Sequence, residues 1–230
     1  MTKVVRYSTM ETRQFLIETT PFSALPPAEI TLLAEIVQKR SALKGERFFG
    51  EGDDAANTYV IMEGQMRITR ASSDGKPWTI EVLRVGEIFG CVGCVAAGQY
   101  PCGAAAGSDV TVLALPLLVV NRLLEKYPAF GRALYLDMSR RMREAQKLRT
   151  LGAESVEKRI AGVLLWLQAK FGTTLPFTRQ AIAEMASTTP ESAIRALIHF
   201  RQRGYIKTEW KKITLHNPTA LRELLEGVVA

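Results

Sequence analysis

Two groups of residues in this chain have the types and spacing for chemistry. Glu191 and Arg195 follow Thr189 and Pro190 and stand four residues apart, so a carboxylate and a guanidinium share one face of a helix near its start, with Ser192 beside them. That is where a major-groove recognition helix presents side chains to base edges. The second group is Cys91, Cys94 and Cys102, spaced C-x2-C-x7-C in a Gly- and Ala-rich stretch. Thiolates gathered this way can ligate iron or be oxidised directly, and the same residues can equally serve as small buried hydrophobes. Both histidines, His199 and His216, lie far downstream. A cupin-like metal enzyme needs two or more converging His, and a nucleophile–His pair needs one, so enzyme chemistry is disfavoured here.

A helix-turn-helix pattern over residues 177–214 positions the acidic and basic pair. Thr178 suits an N-cap for a first helix with Ile182 and Met185 on its inner face. Thr188-Thr189-Pro190-Glu191 then breaks and restarts the helix, with hydroxyl caps, Pro in the first turn and an anion at the positive end of the dipole. We expect Ile194, Leu197, Ile198 and Phe200 to face inward, Gly204 to stop the helix, and residues 205–208 and 211–215 to form a two-stranded wing around a turn at Glu209-Trp210. Charge follows the same division. Residues 128–230 hold 17 Lys and Arg against 9 Asp and Glu, a net of +8, whereas residues 1–127 hold 13 against 14, a net of −1. The basic excess therefore sits in the segment patterned to lie on a polyanion.

At 230 residues the chain has room for two modest domains. No run approaches the ~18 apolar residues of a membrane span, and Lys3 and Arg6 precede no apolar signal core, so a cytoplasmic address is expected and structural disulfides are not. After helical segments at residues 11–17 and 27–38, glycines punctuate short alternating runs at residues 58–62, 65–69, 78–83 and 110–115, the first pair joined at Glu63-Gly64. Residues 72–77 read as a hairpin loop. This is the signature of an antiparallel β-roll or jelly roll. From Pro128 the period becomes helical. Leu134, Met138, Arg141, Ala145, Leu148 and Gly152 recur with 4,3,4,3,4 spacing, and Tyr135, Met138, Met142 and Ala145 form an overlapping stripe. Such a seam suits a two-helix coiled coil between two copies of the chain, the competing reading being a stripe packed on its own roll. The expected α+β architecture is thus a β-roll sensor domain (1–127), a dimerisation helix (128–152) and a winged helix-turn-helix (153–230).

These elements, in this order, resemble the Crp/Fnr family of bacterial transcription regulators. The most specific strings are Gly45-Glu46-Arg47-Phe48-Phe49 with Glu51-Gly52-Asp53, then Arg159-Ile160-Ala161, Phe177-Thr178-Arg179-Gln180 with Ile182-Ala183, and Thr189-Pro190-Glu191-Ser192 with Arg195. The resemblance implies a sequence-specific homodimeric regulator that binds palindromic double-stranded DNA and acts on RNA polymerase. By it, Glu191 accepts from a cytosine amine and Arg195 donates to guanine O6 and N7. Thr178, Arg179, Gln180, Thr189, Ser192 and Lys211 contact phosphates. Pro190 stands where many members carry a further basic base-reader, so one base position should be less tightly specified.

The resemblance also places the family's cyclic-nucleotide pocket at residues 86–102. There the ribose carboxylate, phosphate arginine and hydroxyl donor are replaced by Cys91, Pro101 and Cys102, and no Arg occurs between Arg84 and Arg122, which argues against cAMP. Phe89, Gly90, Cys91, Cys94 and Cys102 are the expected effector segment. Residues 89–94 are similar to the family's carbon-monoxide-sensing haem regulators, with Cys91 and Cys94 as candidate metal ligands. Haem ranks ahead of an iron–sulfur cluster, because three cysteines supply only three ligands. The alternatives are a small organic effector, or none, with structural cysteines.

Overall fold

Ser8 accepts a hydrogen bond from the Glu11 amide while the Glu11 carboxylate accepts from the Ser8 amide, a capping box that starts α1 (Thr9–Glu18). This is a computed structural model that describes residues 8–71, 77–91 and 98–227. Pro27 occupies the first turn of α2 (Pro27–Ile36), which stops short of Gln38 because Val37 turns extended and Gln38 joins a strand ladder opposite Ala114. The strands that follow are β1 (Gln38–Ala42), β2 (Arg47–Phe49), β3 (Asn57–Glu63), β4 (Met66–Ala71), β5 (Pro77–Leu83), β6 (Ile88–Phe89), β7 (Gly103–Ala106) and β8 (Val110–Pro116). They form two four-stranded antiparallel sheets, ordered β1-β8-β3-β6 and β2-β7-β4-β5. Gly64 makes the β3–β4 turn at φ +79, where a Cβ would lie 2.1 Å from the Asp109 carbonyl oxygen, so the position admits no side chain. The expected hairpin loop lies largely outside the described residues.

Alternation along β3 divides two cores. Tyr59 and Ile61 face a core between the sheets with Phe49, Met66, Leu83 and Val112. Val60 faces the other way, with Leu113 and Leu115, against Leu16, Leu33 and Phe130 from the helices. Val120 and Leu123 of α3 (Leu117–Lys126) join the same core, and this helix has no counterpart in the sequence reading. The apolar strand β8 runs straight into it, and only Pro116 marks the change of period. A buried carboxylate ties α2 to this region. Glu29 is paired with Arg122, lies 3.8 Å from the Lys126 ammonium and accepts 2.7 Å from the Tyr127 hydroxyl. Arg122→Met removes the closest cation and leaves the carboxylate buried, so it should cost about 1–3 kcal/mol in urea denaturation. An unchanged midpoint would mean that Lys126 and Tyr127 satisfy Glu29 alone.

Then follow α4 (Pro128–Thr150), α5 (Val156–Phe171), β9 (Thr174–Leu175), α6 (Arg179–Met185), α7 (Pro190–Gln202), β10 (Ile206–Glu209), β11 (Lys212–Leu215) and α8 (Pro218–Glu226). The chain forms two compact units, Met1–Arg140 and Arg141–Ala230, dividing inside α4. The two stripes of α4 have different fates. Leu134 and Met138, both half-buried, pack on the helix-facing core, and half-buried Leu148 lines a pocket with Leu151, Arg159, Val163 and Met185. Tyr135 is 71% and Met142 57% exposed, and Ala145 is exposed with them. Among the described residues no helix is long and apolar enough to cross a membrane.

Candidate nucleic-acid interface and effector segment

The helix-turn-helix is built on α5, whose Ile160, Ala161, Leu164 and Leu167 are fully buried. Thr178 caps α6, its hydroxyl accepting from the Ala181 amide at 3.1 Å. Ser187 takes a left-handed φ of 49 in the turn, and Thr189 caps α7 by accepting from the Ser192 amide at 3.3 Å. The inner face of α7 is Ala193, Ala196, Leu197 and Phe200, an i, i+3, i+4, i+7 set. This corrects the expected face. Alanine lets α7 sit close to its neighbours, Ile194 is only half-buried and Ile198 is turned outward. Met185 is likewise only half-buried.

Glu191 and Arg195 are both exposed, and Arg195 donates 3.0 Å to the Ser192 hydroxyl. The Glu191 carboxyl is held below the ordinary carboxylate range, first by its own backbone amide, then by the Thr189 hydroxyl and the Arg195 charge. It is therefore an ionised acceptor at neutral pH. Arg179 and Gln180 are exposed on the first turn of α6, where Gln180 donates 3.1 Å to Glu184. In the wing β10 pairs β11 with Glu209 opposite Lys212, so the turn is Trp210-Lys211, one residue later than expected. Lys211 takes φ 53 to close that two-residue loop. Lys207 and Lys212 pair with Glu209, whereas the Lys211 ammonium lies 5.2 Å over the ring of Trp210, itself 86% exposed. Gly204 follows α7 at φ 73, as a helix stop requires.

In the roll, Cys91 is 6% exposed and its Sγ lies 3.8 Å from Met138 Sδ on α4. Phe89 stacks within an aromatic cluster with Phe49, Tyr59 and Tyr100. Tyr100 lies 3.6 Å, centroid to centroid, from Phe49, and its hydroxyl donates 2.7 Å to the Asn57 carbonyl. Gly90, at φ +81, lets Tyr100 and the Asn57 carbonyl approach within about 3 Å of where a Cβ would stand. Cys94 lies outside the described residues. Burial pushes the half-buried Cys102 thiol up, against the pull of Arg70. Sequence order hid that arginine. The β4–β7 ladder sets Thr69 opposite Gly103 and so brings Arg70 beside Cys102, where it is paired with Glu51 at 3.0 Å. At the two described cysteines of this segment, one thiol packs on Met138 and the guanidinium beside the other already holds a carboxylate. Among the described residues no cluster of three metal-ligating side chains occurs. Iodoacetamide should therefore label Cys91 and Cys102 slowly in the native protein at pH 7, with Cys102 accelerating only above the ordinary thiol range. Rapid neutral-pH labelling of Cys102 by peptide mapping would contradict this.

Residues 39–127 match the cyclic nucleotide-binding domain family, and residues 158–224 match the Crp-like helix-turn-helix domain. The chain is 27% identical over 209 residues to the cyclic AMP receptor protein of Thermus thermophilus, covering 90% of this chain and 97% of that one. It is 25% identical over 211 residues to the transcriptional activator protein FnrA of Stutzerimonas stutzeri, covering 87% and 86%. The chain belongs to the Crp/Fnr family of transcription regulators. As a Crp/Fnr protein it is a DNA-binding regulator and not an enzyme. A further relative is the global nitrogen regulator of Synechocystis, 27% identical over 191 residues, with 78% of this chain and 85% of that one covered. The structure of FixK2 from Bradyrhizobium japonicum shares the fold, with TM-score 0.75 at 21% identity over 82% of this chain and 97% of that one.

Proposed function

We propose that this Crp/Fnr regulator acts in the cytoplasm as a homodimer on a palindromic DNA site and passes its signal to RNA polymerase. Glu191 and Arg195 read a C·G pair, and Thr178, Arg179, Gln180, Thr189, Ser192 and Lys211 hold phosphates. The exposed stripe of Tyr135, Met142 and Ala145 is the seam between copies, with Met138 at its edge. Effector sensing rests on one observation, the 3.8 Å contact between Cys91 and Met138. It joins the cysteine segment directly to the helix that carries the seam. A diatomic gas or a change of redox state at this segment would part the two sulfurs and shift α4. A peroxide, for example, transfers one oxygen to Cys91 and leaves as water, making a polar sulfenic acid that no longer packs on a thioether. Because only a bistable interface converts so local a change into a new spacing of two recognition helices, the seam is the switch.

A second reading has its own support. A cleft of about 740 Å3 lies between α1, the β5–β6 turn and α4, lined by Arg84 and Arg140, by the carboxylates of Glu18, Glu87 and Asp137, and by Phe15 and Leu136. Charged groups of both signs beside apolar side chains suit a small polar organic effector. The triple variant Cys91→Ala, Cys94→Ala, Cys102→Ala separates the two. If the thiols sense, it loses the dependence of DNA affinity on oxidised, reduced, carbon monoxide and nitric oxide conditions. If it responds as the parent does, the thiols only pack and the small organic effector is favoured. An anaerobic absorption spectrum of the parent tells haem, cluster and bare thiols apart.

A further inference from the structure

The outer face of α7 is not uniformly polar. Opposite the buried set of Ala193, Ala196, Leu197 and Phe200 run Glu191, Arg195, Ile198 and Gln202, spaced 4, 3 and 4. Ile198 stands in the middle of that stripe and is 38% exposed, with half-buried Ile194 one turn before it. Single exposed apolar residues are ordinary on a protein surface. This one occupies the face that the proposed function turns into the major groove, between two side chains able to hydrogen-bond.

We propose that Ile198 reads the 5-methyl group of a thymine in the base pair next to the one read by Arg195. The proposal rests on α7 being the recognition helix. The three residues from Arg195 to Ile198 rise about 4.5 Å along the axis, and successive base pairs are about 3.4 Å apart, so the two side chains address neighbouring pairs. Ile198 neither donates nor accepts a hydrogen bond. The only apolar group on a major-groove base edge is the thymine methyl, and an aliphatic side chain over it removes both from water. Set instead against a cytosine amine or a guanine carbonyl, Ile198 would strip water from a polar group and return nothing. It thus supplies discrimination that Glu191 and Arg195, both readers of polar edges, do not.

Replacing thymine by deoxyuridine removes only the methyl and leaves the pairing intact. In a duplex carrying the preferred site, selected from random sequence, one such replacement in a single arm should weaken wild-type binding about fourfold, as burial of one methyl is worth about 0.8 kcal/mol. Replacement in both arms should weaken it more than tenfold. Ile198→Ala should bind the thymine and deoxyuridine duplexes equally while keeping its preference for guanine, and Ile198→Val should fall between. Wild-type indifference to deoxyuridine at every thymine, or a penalty that persists unchanged in Ile198→Ala, would overturn the proposal and leave the reading of α7 intact. Failure to enrich any site would instead count against α7 as the recognition helix.

Discussion

Arg195→Ala is expected to cost roughly 1–3 kcal/mol per arm of the site and to make the protein indifferent to the guanine it reads. A palindrome counts the loss twice, so affinity for the preferred duplex should approach that for random DNA. The Ser192 hydroxyl at 3.0 Å holds the guanidinium on the exposed face of α7, and the ionised Glu191 beside it limits which base it can face. Lys211→Ala should behave differently. Its ammonium lies at the tip of the wing over Trp210, and its loss should weaken all sequences alike while lowering the slope of log affinity against log salt by about one ion per wing. Titrations of preferred and scrambled duplexes at several salt concentrations distinguish the two. The reverse pattern would undo the division into base readers and phosphate contacts.

The other large effect is expected at the seam. Met142→Glu puts a charge on the exposed stripe of α4, which in the proposed dimer lies against the same stripe of the other copy. The variant should sediment as a monomer with unchanged circular dichroism, since Met142 supports no core of its own chain. With only one arm engaged, palindrome affinity should fall by about 10²–10⁴-fold. Leu148→Ala, by contrast, should loosen packing within the chain and leave the dimer assembled. A Met142→Glu protein that stays dimeric with full affinity would move the seam elsewhere.

Why some of this was legible in the sequence and some was not follows from how local each signal is. Thr178 and Thr189 as caps, Pro190 in the first turn and Gly204 as the stop are decided within a few residues, so type and order suffice. The inner face of α7 was misread because Ala193 and Ala196 are weak apolar signals beside Ile194 and Ile198, although their spacing is the one a buried face requires. Strand β7, written Gly-Ala-Ala-Ala, carries no β-branched or aromatic side chain and takes its structure from its neighbours β2 and β4. The placement of Arg70 beside Cys102 needs a ladder between distant segments, which no spacing in the chain announces. The two stripes on α4 overlap in sequence. Only the fold shows that Leu134 packs on the helix-facing core while Tyr135 and Met142 stay exposed.

The central claim is that two copies of this chain read a twofold DNA site with paired α7 helices. Sequencing of duplexes enriched by the wild-type protein from a random pool tests it most directly. The account predicts inverted arms, each with a C·G pair lost from the consensus of Arg195→Ala, and arm centres about one helical turn or 10 base pairs apart. Enrichment of a single unpaired arm, or of no sequence above the starting pool, would contradict it.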